Sequence, residues 1–108
     1  MELKTVKYNA KEMKPRSKVR KQFKNQTSDS NIIYFFYNET DCLYIGQTDV
    51  SLYNRCYVNT PKESKQPWFK EANLIHIIKL DENIDDIARQ ALESSFIMAY
   101  RPKYNKKC

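Results

Sequence analysis

Four side chains stand out by type and order: Tyr34, Tyr44, Arg55 and Glu93. A tyrosine hydroxyl can pass a proton or orient water. An arginine offers fixed positive charge to phosphate. A lone carboxylate can hold a divalent metal ion and leave positions open for water and a phosphate oxygen. In combination these residues are suggestive of chemistry on a phosphate. Singly they are not specific, because the chain has eight tyrosines and strand tyrosines mostly pack in cores. Gly46 is unusual in another way, as the only glycine in 108 residues. Glycine is indispensable where the backbone takes positive φ or where another group must approach closely. Gly46 is therefore expected to end a strand beside a catalytic cleft.

These residues need a scaffold. IIYFFY (32–37) is a continuous apolar and aromatic run, as expected of a strand covered on both faces. NETD (38–41) reads as a turn and CLYIGQ (42–47) as a second strand, so 32–47 reads as a hairpin. Tyr34 and Tyr44 are ten residues apart. An odd loop, 39–41 or 38–42, pairs Tyr34 with Gly46 and Tyr44 with Phe36, and both tyrosines then share a face. An even four-residue loop puts them on opposite faces.

Asp49 or Ser51 can cap a helix through about residue 58, which carries Arg55. PKESKQP (61–67) reads as a loop, WFKEAN (68–73) as a short helix and LIHIIKL (74–80) as a third strand. Asp81, Glu82, Asp85 and Asp86 crowd the start of a last helix, where negative charge suits the dipole; Asn83 can cap it and Arg101-Pro102 stops it. At 100° per residue Ile84, Ile87, Ala88, Ala91, Leu92, Ser95, Met98 and Ala99 share a face, the expected core face. Glu93 projects from the opposite face. There Phe96, Ile97 and Tyr100 are too apolar for open water, so Glu93 is expected to look into a cleft. The order β-β-α-α-β-α implies an α+β fold, a small antiparallel three-stranded sheet flanked by helices.

Charge is unevenly placed. Residues 1–30 carry nine Lys/Arg and three acids, whereas residues 31–108 carry ten of each sign, so the whole net charge of +6 falls on the first thirty. This predicts a basic N-terminal arm, residues 1–30, attached to a compact domain over 31–108. Lys14, Arg16, Lys18, Arg20, Lys21 and Lys24 are the candidate phosphate contacts, acting by counterion release. A solvated tail that only aids solubility is the plainer reading of such a run. Val19 and Phe23, four apart, allow one or two helical turns within the arm. With 41% hydrophobic and 30% charged residues the chain is expected to be globular. No apolar run approaches the roughly 20 residues of a membrane helix, and the N-terminus lacks the apolar core of a signal peptide. Cys42, Cys56 and Cys108 are odd in number and have no CxxC spacing, which points to reduced thiols in the cytoplasm.

Read in order, IIY (32–34), YIG (44–46), Arg55, Glu93 and PKYN (102–105) resemble a GIY-YIG nuclease domain. The resemblance spans about residues 31–106. Its spacing is similar to that of the nuclease domain at the start of the bacterial excision-repair incision subunit, and is compatible with stand-alone phage and restriction-type members. The resemblance implies roles. Tyr34 matches the tyrosine assigned as general base, and Tyr44 the one that positions water and phosphate. Arg55 matches the arginine that stabilises the transition state, and Glu93 the single metal-binding glutamate, for Mg²⁺ or Mn²⁺. Asn105 matches the asparagine that supports the site, and Gly46 the point where the chain turns beside the scissile phosphate. Three positions depart from the pattern. Ile32 stands where the first motif has glycine, and Asn59 where many members place His or Tyr. Arg55 lies about one residue further from YIG than is usual.

The expected function is a metal-dependent DNA endonuclease leaving 5′-phosphate and 3′-hydroxyl ends. One site per chain cuts one strand, so a double-strand break needs a homodimer or two successive events. The rival expectations are an inactive nucleic-acid-binding module of the same fold and an adaptor subunit that acts inside a larger assembly. His76, alternating with apolar neighbours on a strand, reads as a satisfied core histidine. Trp68 and Phe69 read as core anchors, and Cys42 and Cys56 as small buried residues.

Overall fold

The computed structural model describes residues 2–58 and 63–105. Asn59 and Cys108 lie outside them. Four strands, β1 (Glu2–Lys7), β2 (Ile32–Tyr37), β3 (Cys42–Thr48) and β4 (Leu74–Lys79), form one sheet in the order β1-β4-β2-β3, antiparallel at every neighbour. Helices α1 (Lys18–Gln26), α2 (Leu52–Tyr57) and α3 (Pro67–Glu71) cover one face, and α4 (Asp86–Tyr100) packs on the other. The architecture is the α+β arrangement expected, with a fourth strand.

The fourth strand corrects the picture of a detached arm. Residues 2–7 pair with β4 from Glu2↔Lys79 to Lys7↔Leu74, and Val6 is buried in the core. Phe23 of α1 is buried against Tyr8, Phe69, Tyr53 and Tyr57. The charges of this segment hide its alternation: in ELKTVK, Val6 turns into the core with Lys4 partly buried on the same side, while Leu3, Thr5 and Lys7 are exposed on the other. Lys4 also reaches Asp29 at 3.0 Å and the Gln26 carbonyl at 2.7 Å, so part of the positive charge is spent inside the fold.

The hairpin resolves the parity question in an unexpected way. The turn is four residues long, closed by the Asn38 amide donating to the Asp41 carbonyl at 3.1 Å. Alone it would place Tyr34 and Tyr44 on opposite faces. The ladder runs Tyr34↔Gly46, Phe35↔Ile45 and Phe36↔Tyr44, then slips to Tyr37↔Cys42. The slip leaves Leu43 as an extra residue, a bulge that restores the odd count. Leu43 and Tyr44 consequently both belong to the helix-covered side with Tyr34.

On α4 the expected core face is out of phase. Ile87 and Met98 are 80% and 77% exposed, and Ala88, Ala91, Ser95 and Ala99 are exposed too. Of the expected stripe Ile84 and Leu92 do pack on Ile33, Phe35 and Ile45, joined there by Phe96 and Ile97 from the face expected to be opposite, with the Phe96 ring 5.2 Å from that of Phe35. Alanines fill the expected stripe but bury little area, so the larger side chains decide the rotation. Asp85, not Asn83, caps the helix, accepting from the Ala88 amide at 2.8 Å. Arg89 is 4% exposed and bonds Gln47, Asn31 and Asp86, fastening the start of α4 to β2 and β3.

Candidate active site

The site forms where β2, β3, α2 and α4 converge. Tyr34 and Gly46 face each other across the hairpin, and the phenol ring lies over the glycine. A Cβ at Gly46 would sit 2.6 Å from Tyr34 Cε1, well inside van der Waals contact. Gly46 does not take positive φ, and β3 continues past it to Thr48. The lone glycine is thus explained by close approach, not by a turn at the end of a strand.

Tyr34 is completely buried, and its hydroxyl donates to Glu63 Oε2. Burial first, then the Glu63 carboxylate and Tyr44, hold its pKa well above the ordinary tyrosine value. Tyr44 lies 6.4 Å from Tyr34, ring to ring, and is half-buried. Its ring stacks on Trp68 at 4.2 Å with an interplanar angle of 6°, which fixes its direction. Burial, helped by Glu63 and Glu93, pushes its pKa up to about 12. Both tyrosines share the expected face, but only Tyr44 lines the cleft. Tyr34 forms its floor.

Ser51 starts α2, its Oγ accepting from the Asn54 amide at 3.1 Å, and one turn later the helix presents Arg55. The guanidinium lies beside Tyr34, Glu63 and Tyr44. Burial works to lower its pKa, and these neighbours outweigh that and raise it. Its Nε atom is buried and has no hydrogen-bond partner among the described residues. A buried unpaired donor on a cation is costly, and an anion in the cleft would satisfy it.

Glu93 comes from α4, which lies against β3. It is partly buried, and its pKa is raised by burial, with Arg55 opposing and Glu63 adding to the rise. Among the described residues no three metal-binding side chains cluster. A protein cage for a metal is therefore lacking there, but a hard cation such as Mg²⁺ is commonly held by one or two carboxylates with water and substrate phosphate. The Glu93 carboxylate, desolvated and facing a second acid, fits that role.

Asn105 acts through the backbone. Its Oδ1 accepts from the Ile45 amide at 2.8 Å and its Nδ2 donates to the Ile45 carbonyl at 2.9 Å. The Lys103 and Tyr104 amides donate to the Cys42 and Leu43 carbonyls at 3.0 and 2.8 Å, so the turn at residues 103–104 is tied to the outer edge of β3. Ile45 sits between Tyr44 and Gly46, and clamping it holds both in register.

The two first-motif and basic-run expectations resolve separately. Ile32 is fully buried and packs in the core, so the lost glycine does not narrow the cleft. Arg16, Arg20, Lys21 and Lys24 line a groove of about 560 Å³ with Pro15, Ser17 and Tyr53. The Arg20 guanidinium lies 4.0 Å from the centre of the Tyr57 ring. Lys14 and Lys18 are exposed but do not line the groove. His76 is partly buried against Tyr37 at 4.9 Å, away from the site. Glu63 is the residue that sequence reasoning missed. In PKESKQP an acid reads as a solvated loop residue, yet here it is 4% exposed on a turn (Glu63–Lys65) and touches the central tyrosine. No spacing rule could have found it.

Fold and site define a class: the chain has the GIY-YIG nuclease fold. Its structure is similar to that of the GIY-YIG N-terminal endonuclease domain of UvrC from Thermotoga maritima in a point mutant bound to the catalytic divalent cation. The two share 28% identity at a TM-score of 0.62, over 85% of this chain and 99% of that domain. The magnesium-bound form of the same domain matches over 82% of this chain and 99% of that domain, at 28% identity and a TM-score of 0.60. No protein-family model and no curated protein matches the sequence. Among the described residues no helix is long and apolar enough to cross a membrane.

Proposed function

We propose that the chain is a metal-dependent endonuclease that hydrolyses DNA phosphodiesters, leaving 5′-phosphate and 3′-hydroxyl ends. One observation carries the reading: Tyr34, Tyr44 and Glu93, scattered over sixty residues, all lie close enough to Arg55 to feel its charge, and the buried Arg55 Nε has no hydrogen-bond partner among the described residues. In this reading Arg55 grips the phosphate and meets the charge that builds on its oxygens, where a fixed donor counts most. Tyr44, braced by Trp68, orients water and phosphate at the cleft wall. Tyr34 and Gly46 set the floor, and Asn105 holds β3 in register. Glu93 would hold Mg²⁺ or Mn²⁺, which supplies Lewis acidity to the phosphate. Water attacks phosphorus in line and the bond to O3′ breaks, which gives the stated ends.

The basic groove of α1 supplies affinity. Phe23 docks α1 on Tyr53 and Tyr57 of α2, the helix that carries Arg55, so the cations lie on the layer that presents the catalytic arginine. We place the protein in the cytoplasm, where thiols such as the free Cys42 and Cys56 stay reduced. With one site per chain, cleavage of both strands would proceed through a homodimer or two successive nicks. The second reading, a silent binding module, would make the α1 groove the only working surface.

Supercoiled plasmid incubated with the protein and Mg²⁺, with and without chelator, tests the proposal. The expected result is nicked circles that a ligase reseals directly, since a 5′-phosphate and a 3′-hydroxyl are its substrates. Plasmid that is retained but never nicked would identify the binding module.

A further inference from the structure

We propose that Glu63 is the general base of this site and that Tyr34 is its positioning residue. The inference rests on the nuclease reading above. The resemblance assigns the base to Tyr34, but two features of this structure oppose it. Tyr34 is fully buried and does not line the cleft, and its hydroxyl is already committed as a donor to Glu63 Oε2. A phenol that donates to a carboxylate has no proton to gain. Its pKa, held high first by burial, agrees with a hydroxyl that stays protonated. Glu63 is different. It too is largely covered, at 4% exposure, but it lines the cleft of about 330 Å³ with Tyr44, Gln66, Pro67, Trp68 and Tyr104.

A carboxylate so deeply covered must be stabilised where it sits. The Tyr34 donor does this at one oxygen, and the Arg55 cation lies close by. The turn beneath it is pinned by the Gln66 amide donating to the Glu63 carbonyl at 3.1 Å and by Ser64 Oγ donating to the Cys56 carbonyl on α2 at 2.5 Å. Tyr34, in turn, cannot shift, because its ring is pressed over Gly46. Such fixed placement is what a general base needs.

The step balances simply. A water O–H bond breaks and its proton moves to a Glu63 carboxylate oxygen. The water oxygen bonds phosphorus, the P–O3′ bond breaks, and O3′ leaves with the electron pair and takes a proton from solvent. Glu63 ends as a neutral acid beside Glu93, whose charge it otherwise opposes.

Single-turnover cleavage of plasmid at saturating Mg²⁺, comparing wild type, Glu63→Gln and Tyr34→Phe, tests this, with DNA affinity and thermal melting of each. Glu63→Gln keeps an acceptor for the Tyr34 hydroxyl but cannot take a proton. Its rate should fall about 10²–10⁴-fold, with DNA affinity and the Mg²⁺-induced rise in melting temperature unchanged. Tyr34→Phe should lose less, because the carboxylate remains. Wild-type rates in Glu63→Gln, or a larger loss in Tyr34→Phe, overturn the assignment and return the base to Tyr34. Recovery of Glu63→Gln at higher Mg²⁺, with a weakened Mg²⁺ melting shift, overturns it in favour of a metal ligand. If wild type itself fails to nick, the nuclease reading falls and this one with it.

Discussion

Gly46 and Tyr34 constrain each other, and the pair predicts a double defect. Gly46→Ala puts a methyl group where the phenol lies. The ring must move, at a cost of about 1–3 kcal/mol, the usual penalty for overpacking. The melting temperature should drop by roughly 4–8 °C per kcal/mol, and cleavage should fall with it because the Glu63 partner is displaced. An unchanged melting curve would show that the space is not as tight as the geometry requires. At Arg55, Ala should lower the cleavage rate about 10²–10³-fold, the loss typical of one transition-state donor. Lysine should rescue poorly, since a point charge cannot reproduce the planar fork, and near-complete rescue in a rate assay would reduce Arg55 to general attraction. Tyr34, Tyr44, Arg55, Glu93 and Asn105 could be nominated from the sequence because type and order are one-dimensional signals. Glu63 was not, because what makes it special is burial against a residue 29 positions away.

At the scale of elements, the edge of β3 is held by a side chain. Asn105→Ala strips both partners from the Ile45 peptide and should cost about 1–3 kcal/mol, measurable by urea unfolding. Asn105→Asp keeps the acceptor for the Ile45 amide but faces its carbonyl with a second acceptor, so it should recover only part of the loss. Equal stability of both variants with wild type would mean the edge does not need the clamp. The hairpin and the order of elements were legible because apolar runs and turn residues mark them directly. The bulge at Leu43 was not, since a four-residue turn and an odd register look contradictory until one residue slips. The phase of α4 was off for a related reason: its alanines extend the stripe away from Ile84 and Leu92, but the larger Phe96 and Ile97 turn the helix toward themselves. The first strand was obscured by lysines, which on an edge strand such as β1 discourage pairing with another sheet while Val6 supplies the core contact.

For the whole molecule, charge and fold are not separable parts. Truncating residues 1–24 would remove β1 and most of α1, so it should unfold the domain and not merely weaken binding. The informative variant replaces the exposed Arg16, Lys21 and Lys24 with alanine, leaving Phe23 and Val6 in place. The salt dependence of duplex DNA binding should flatten by roughly 0.9 per lost phosphate contact, and turnover at saturating DNA should hold. A collapse in saturated turnover with an intact melting curve would place the groove in the chemistry. The central claim concerns Glu93, the carboxylate that the resemblance implies as metal ligand and to which the proposed function gives that role. The most direct measurement follows nicking of supercoiled plasmid in Mg²⁺ by wild type and by Glu93→Ala, with retention on the same DNA measured in parallel. The account predicts nicking by wild type, none by Glu93→Ala, and equal retention of both. Nicking by Glu93→Ala at the wild-type rate, or retention by both with nicking by neither, would contradict it.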